Sequence, residues 1–228
     1  MIGTFLNATT VDGYNPYRIT QQGIDWEVPE PNNPWANIGY WGDHQIVYLL
    51  KLLEQSRAFW PEQLKTSLDA DACVYAEVPY RIAGYAEIRQ NPRETITYDR
   101  GVEERLRQHV DRFGTDGQLV RNANGEVHRV TLLEKLLVTG FVKLANLVPA
   151  AGIWLNTQRP EWNDAQNALA GFGASVVTVG YLRRYFEFVR NLFDGQSPAP
   201  LRLSREFATF VQALSEALDN PQLIEESC

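Results

Sequence analysis

Arg159-Pro160-Glu161-Trp162-Asn163-Asp164-Ala165-Gln166-Asn167-Ala168-Leu169 sets two carboxylates, a guanidinium, an indole and side-chain amides on one polar stretch. It lies between an apolar segment at 144–155 and a long helical one that begins near Gly173. Polar groups gathered between two packing elements have no place in a core, so the stretch reads as the floor of a site. Glu161 and Asp164 are three residues apart. On a helical turn they share a face and elsewhere they diverge, which decides how either can serve as an acid or base.

Working outward, Thr131-Leu132-Leu133-Glu134 has capping-box spacing and predicts a helix running to about Leu147, stopped by Pro149. On the other side, Gly173-Ala174-Ser175 opens a segment with Val176, Val177, Val179, Leu182, Tyr185, Phe186, Phe188, Val189 and Leu192. That segment is apolar nearly all round, which predicts a helix buried in a larger helical assembly. Ser204 caps a last amphipathic helix ending near Asn220-Pro221.

The first 40 residues read as an extended, turn-rich arm, with Asp12-Gly13, Asn15-Pro16, Pro29, Pro31 and Asn32-Asn33-Pro34 as punctuation. Tyr14, Tyr17, Trp26, Trp35, Tyr40 and Trp41 lie on this arm or at its end, where flat side chains either pin a loop down or line a concave surface. Gly42-Asp43 offers an N-cap for a helix over His44 to Ser56 whose apolar density requires burial. Asp43 is thus either a cap or a binding acid, and His44 sits in the first turn of that helix. Pro61-Glu62 suits the start of a short helix through Leu68. Residues 72–130 read as an insertion. Short strands or loops fill Ala72 to Thr97, a helix spans about Val102 to Phe113, and a hairpin turns at Asn122-Ala123-Asn124-Gly125.

At 228 residues and 44% hydrophobic content the chain can bury one large core, so a single domain over 1–228 is expected. A formal charge of -7 argues against nucleic acid or an anionic membrane, which are held by excess Lys and Arg, and favours a neutral ligand. Cys73 and Cys228, with His44, His109 and His128, form neither a disulfide framework nor a metal-ligand spacing. No cofactor is implied. Without a signal-like start or a run of roughly 20 apolar residues, the sequence points to the cytoplasm.

Two segments carry a family resemblance. Asn37-Ile38-Gly39-Tyr40-Trp41-Gly42-Asp43-His44-Gln45 resembles the aromatic-Trp-Asp lead into an early barrel helix of trehalase-like and processing-glucosidase-like enzymes. Glu161-Trp162-Asn163-Asp164-Ala165 resembles the Trp-Asn-Asp-Gly segment of cellobiose-phosphorylase-like enzymes. Both belong to the six-hairpin glycosidase superfamily. The resemblance implies a mainly α fold, part of an (α/α)6 toroid, with the aromatic arm over residues 1–40 and a small β-hairpin insertion. Gly42 between Trp41 and Asp43, and Ala165 in place of glycine, depart from the two patterns. The chain's roughly six helices amount to about half a ring, since twelve helices with their connections need well over about 300 residues.

By this resemblance Asp164 is the general acid for cleavage of a glycosidic bond in a neutral oligosaccharide, with Glu161 beside it. Arg159 can clamp Glu161 as an ion pair and leave Asp164 free to carry its proton. Asp43, Trp41, Tyr40, Trp35, Trp162, Asn163, Asn167, Arg159 and His44 are the expected substrate-binding set. The second carboxylate falls outside this chain, in a completing segment or a second copy. Two other readings stay open: a non-catalytic carbohydrate-binding or structural helical domain, and a sugar isomerase or epimerase on a related toroid. The last usually needs pocket histidines, and only His44 is suitably placed.

Overall fold

The computed structural model describes residues 2–16, 18–20, 23–25, 39–40, 42, 44–157, 168–194 and 200–220. Its framework follows from three apolar helices meeting side by side: α2 (His44–Phe59), α6 (Leu132–Leu144) and α7 (Val176–Asn191). Ile46, Leu49, Leu50 and Leu53 of α2 face Leu133 and Leu136 of α6 and Leu182, Tyr185, Phe188 and Val189 of α7 in one core. The 3.6-residue period puts each of these sets on one side of its helix. At Gly140 of α6 the Phe186 and Tyr185 rings of α7 come so close that an added Cβ would meet them at 2.9 and 3.3 Å, so the glycine sets the helix spacing.

Around this core lie α1 (Ile2–Asn7), α3 (Gln63–Ser67), α4 (Tyr85–Gln90), α5 (Arg100–Phe113) and α8 (Arg205–Leu218). The strands are short. β1 (Arg18–Thr20) pairs with β2 (Gly23–Asp25), β3 (Cys73–Val74) with β6 (Arg129–Val130), and β4 (Tyr80–Ile82) with β5 (Ile96–Tyr98), all antiparallel. β7 (Leu147–Val148), β8 (Gly152–Trp154) and β9 (Ala174–Ser175) form a three-stranded antiparallel sheet. The fold is mainly helical with small sheets. Among the described residues, no helix is long and apolar enough to cross a membrane.

Several local expectations change. Ile2–Asn7 is helical, not extended, because Ile2, Phe5 and Leu6 share one face, and that face joins the main core. Within the expected strand-and-loop region, Tyr85–Gln90 is a helix; Glu87 accepts the Gly84 N–H at 2.8 Å and Ile88 is its buried anchor. The helix expected to be buried all round is not. Val176 and Val177 are 72% and 63% exposed, since the first turn of α7 follows directly on the edge strand β9 and core packing begins only at Val179 and Leu182. The hairpin at Asn122–Gly125 forms, with Asn122 Oδ1 accepting the N–H groups of Asn124 and Glu126 at 3.0 Å each. Its arms share one bridge, Arg121 with Val127, and beyond it they pair with the 73–76 segment: Leu119 bridges Ala76, and Arg129–Val130 pairs with Cys73–Val74.

The polar side of α6 is the less ordinary feature. Glu134, Lys135, Thr139 and Lys143 are all fully or almost fully buried. Thr131 caps the helix by accepting the Glu134 N–H at 3.1 Å. The Glu134 carboxylate does not close the box on Thr131; it accepts the Tyr75 hydroxyl and the Ser204 hydroxyl at 2.9 Å each, pinning the start of α8. Lys135 donates to the Thr9 carbonyl at 2.9 Å and lies 3.8 Å from the centre of the Tyr75 ring. Burial lowers its pKa well below the ordinary lysine value. Lys143 donates to Gln45 Oε1, Gln45 donates to Asn15 Oδ1, and Asn15 donates to the Phe5 carbonyl at 2.9 Å. The N-terminal arm is thereby bolted between α2 and α6 by hydrogen bonds among buried side chains, where an unmade bond costs about 1–3 kcal/mol.

The stem of Lys135 fills volume while its ammonium serves a carbonyl that also accepts the Ala76 N–H at 3.1 Å. Lys135→Met, which keeps the stem, should therefore cost less than about 1.5 kcal/mol in urea unfolding. Lys135→Ala should cost about 2–5 kcal/mol. Equal losses for the two variants would place the stabilisation in the ammonium instead.

Candidate functional site

A cavity of about 760 Å³ opens between the Val11–Tyr14 loop, α6, the Arg121–Ala123 turn and α8. The loop owes its position to Gly13. Its φ is +78°, and an added Cβ would lie 2.7 Å from Val142 Cγ2 and 3.2 Å from the Val138 carbonyl, so the turn presses directly onto α6. The Gly13 N–H donates to the Thr10 carbonyl at 3.0 Å and the Thr10 N–H to the Tyr14 carbonyl at 2.9 Å. This tight loop presents Asp12 and Tyr14 to the cavity.

Behind the loop stands a stack of tyrosines. Tyr14 and Tyr40 have ring centres 5.9 Å apart; Tyr40 meets Tyr80 edge-on at 5.6 Å, and Tyr80 is 6.0 Å from Tyr98. The Lys143 ammonium sits 4.1 Å from the centre of the Tyr14 ring, so the polar chain of α6 also holds this wall. The Tyr14 hydroxyl donates to Asn156 Oδ1 at 3.1 Å, and the Tyr40 hydroxyl donates a long bond to Asp12 Oδ2 at 3.4 Å. Burial raises the pKa of Asp12, against smaller lowering influences from the Tyr40 hydroxyl and the Arg81 charge.

The far wall is aromatic. Tyr75 and His128 stack with their rings 10° from parallel and centres 6.4 Å apart, and Phe207 and Phe210 of α8 complete that side. Asn122, Asn146 and Asn156 add amide groups to the lining. Beside the rings and amides the lining carries two carboxyl residues, Asp12 and Glu206, and the Arg121 guanidinium, so its opposite charges largely offset one another and the surface suits a neutral ligand bearing many hydroxyls. Among the described residues, no cluster of three or more His, Cys, Asp or Glu side chains could hold a metal.

Of the expected site residues, Tyr40 and His44 fall among those described. Tyr40 is fully buried, so it reaches the cavity only through Asp12 and acts as a support rather than a sugar platform. His44 lies half-buried at the start of α2 with its ring stacked on Tyr48 at 5.8 Å, and it does not line the cavity. Asp164, Glu161, Trp162, Asn163, Asn167, Arg159, Asp43, Trp41 and Trp35 lie outside the described residues. Asn156, on the cavity wall, stands three residues before Arg159 in the chain.

Asp12, Asn146, Asn156, Tyr75 and His128 are lining residues that sequence reasoning did not single out. Asp12-Gly13 reads as turn punctuation. The signal that it carries more is an acid on a glycine turn followed at once by an aromatic residue. No protein-family model and no curated protein matches the chain.

The raised pKa of Asp12 fixes a sign. Between its ordinary value of 3.8 and the higher folded value, the native state holds more protons than the unfolded chain, so this group's contribution to stability falls as pH rises. Relative to wild type, Asp12→Asn should be more stable at pH 7 than at pH 3.5. Urea unfolding of both proteins across that range checks it; a variant that loses ground as pH rises would contradict the assignment.

Proposed function

We propose that this chain is the sugar-binding part of a glycoside hydrolase-like, carbohydrate-active protein built on a partial (α/α)6 toroid. The observation that carries the reading is the cavity, where tyrosine and phenylalanine rings and asparagine amides surround the half-buried Asp12 carboxyl, with Arg121 and Glu206 also on the lining. Pyranose rings are apolar on their faces and polar at their rims. Aromatic faces and planar amides meet those two kinds of surface. The chain's charge of -7 is consistent with a neutral ligand. The helix trio α2, α6 and α7 with α8 supplies helix-on-helix packing of the kind a toroid repeats.

In this reading the neutral oligosaccharide lies against Asn156 and the wall that the buried Tyr14 ring backs, with Asp12 bonded to a hydroxyl. Asp164 gives its proton to the glycosidic oxygen as the bond to the anomeric carbon breaks, and Arg159 holds Glu161 ionised beside it. The oxocarbenium-like sugar is stabilised by a second carboxylate from a completing segment or a second copy, and water or phosphate adds to it. Asp12 is a binding group: it lines the cavity, and its Oδ2 accepts the Tyr40 hydroxyl.

In the complete protein, Asp164→Asn should lower turnover of malto- or cello-oligosaccharides by about 10²–10⁴-fold while leaving their affinity within about threefold, since the proton donor is lost and the binding surface is not. Steady-state kinetics and isothermal titration together check this. Unchanged turnover would remove Asp164 from the chemistry. Sugar binding with no turnover in the wild type would make the domain a non-catalytic binding module.

A further inference from the structure

A second depression of about 640 Å³ lies on the other side of Asn146 and Asn156, between α4 and the β7–β8 hairpin. Both asparagines and Ala145 line the two spaces, so the depressions are neighbours with an amide-bearing rim in common. Each volume falls within the range of about 300–1,000 Å³ common for small-ligand pockets. The wall of the second carries the aromatic pair Tyr85 and Trp154, whose ring centres are 5.6 Å apart and whose planes stand at 79°. Tyr85 is 65% exposed, although it opens a helix whose Ile88 is buried.

The parts of this wall are fixed relative to one another. The Trp154 N–H donates to the Asn146 carbonyl at 2.8 Å, and Asn146 Nδ2 donates back to the Val142 carbonyl of α6 at 2.9 Å. Trp154 belongs to the central strand of the three-stranded sheet, paired with Ala174. The Arg89 guanidinium, one turn along α4, stands 5.6 Å from the Tyr85 ring centre and steadies it. A rigid indole, an exposed phenol and two amides therefore share one hollow next to the main cavity.

We propose that the Tyr85–Trp154 hollow is a second sugar subsite, taking a further unit of the same neutral oligosaccharide that occupies the Asp12–Tyr14 cavity. This rests on the reading of that cavity as sugar-binding. The sugar chain runs over Asn146 and Asn156, which bond its hydroxyls at the shared rim, and its outer unit lies against the Tyr85 and Trp154 rings. The subsite makes affinity depend on chain length: a disaccharide fills the main cavity, and a tetrasaccharide reaches both.

The test is isothermal titration of wild type, Tyr85→Ala and Trp154→Phe with maltose, maltotetraose, cellobiose and cellotetraose. Tyr85 is mostly exposed, so its removal leaves the core intact, and Trp154→Phe retains a ring in the strand. For the series that binds, Tyr85→Ala should weaken the tetrasaccharide about three- to tenfold, the loss of one aromatic contact, and leave the disaccharide within twofold. Trp154→Phe should show the same selectivity with a smaller loss. Equal effects on both lengths, or none on the tetrasaccharide, would overturn the subsite and leave the main cavity as a sugar site. Failure of the wild type to bind any of the four would overturn both readings.

Discussion

Two lysines eight residues apart on one face of α6 are buried in the interior, and much of the molecule is arranged to satisfy them. Lys135 needs an acceptor and finds the Thr9 carbonyl; Lys143 finds Gln45 and, through it, Asn15. Both acceptor sets involve the stretch that follows α1, so the arm must lie across α6 for either ammonium to be accommodated. The aromatic rings of Tyr75 and Tyr14 add a second favourable contact to each cation. Buried lysines are costly to accommodate, and here their hydrogen bonds tie the segment after α1 to α6. That placement is what puts Asp12 and Tyr14 at the edge of the cavity.

The same economy links the β3 region to the start of α8. Glu134 on α6 holds Tyr75 on one side and Ser204 on the other, so the wall made by Tyr75 and the wall made by Phe207 are set by one carboxylate. Gly13 and Gly140 complete the arrangement by letting a loop and a helix approach α6 where a side chain could not fit. The cavity is thus bounded by elements far apart in sequence, each tied to one helix.

Much of the fold was legible because its signals are local. The apolar periods of α2 and α6, the Thr131 and Ser204 caps and the Asn122–Gly125 turn all depend on neighbouring residues, and all formed. Ile2–Asn7 was missed because two turns of helix give too short a period to outweigh the turn-rich chain that follows. Val176 and Val177 were misplaced because sequence cannot show that α7 begins at a sheet edge. Asp12 was invisible for a related reason. Its partial burial and its contact with Tyr40 arise from tertiary packing, and an Asp-Gly pair in isolation means only a turn. Of the arm's aromatic residues, Tyr14 and Tyr40 fall among those described, and both pack into one buried cluster with Val78, Tyr80 and Ile96.

The most direct measurement for a neutral-sugar cavity is amide chemical-shift mapping of the isotope-labelled chain titrated with maltotetraose and with cellotetraose. The account predicts saturable shift changes concentrated at Asp12 to Tyr14, Asn122, Asn146 and Trp154 to Asn156 for at least one of them. Shifts that do not saturate, or that cluster elsewhere on the surface such as Phe59 and Trp60, would contradict it.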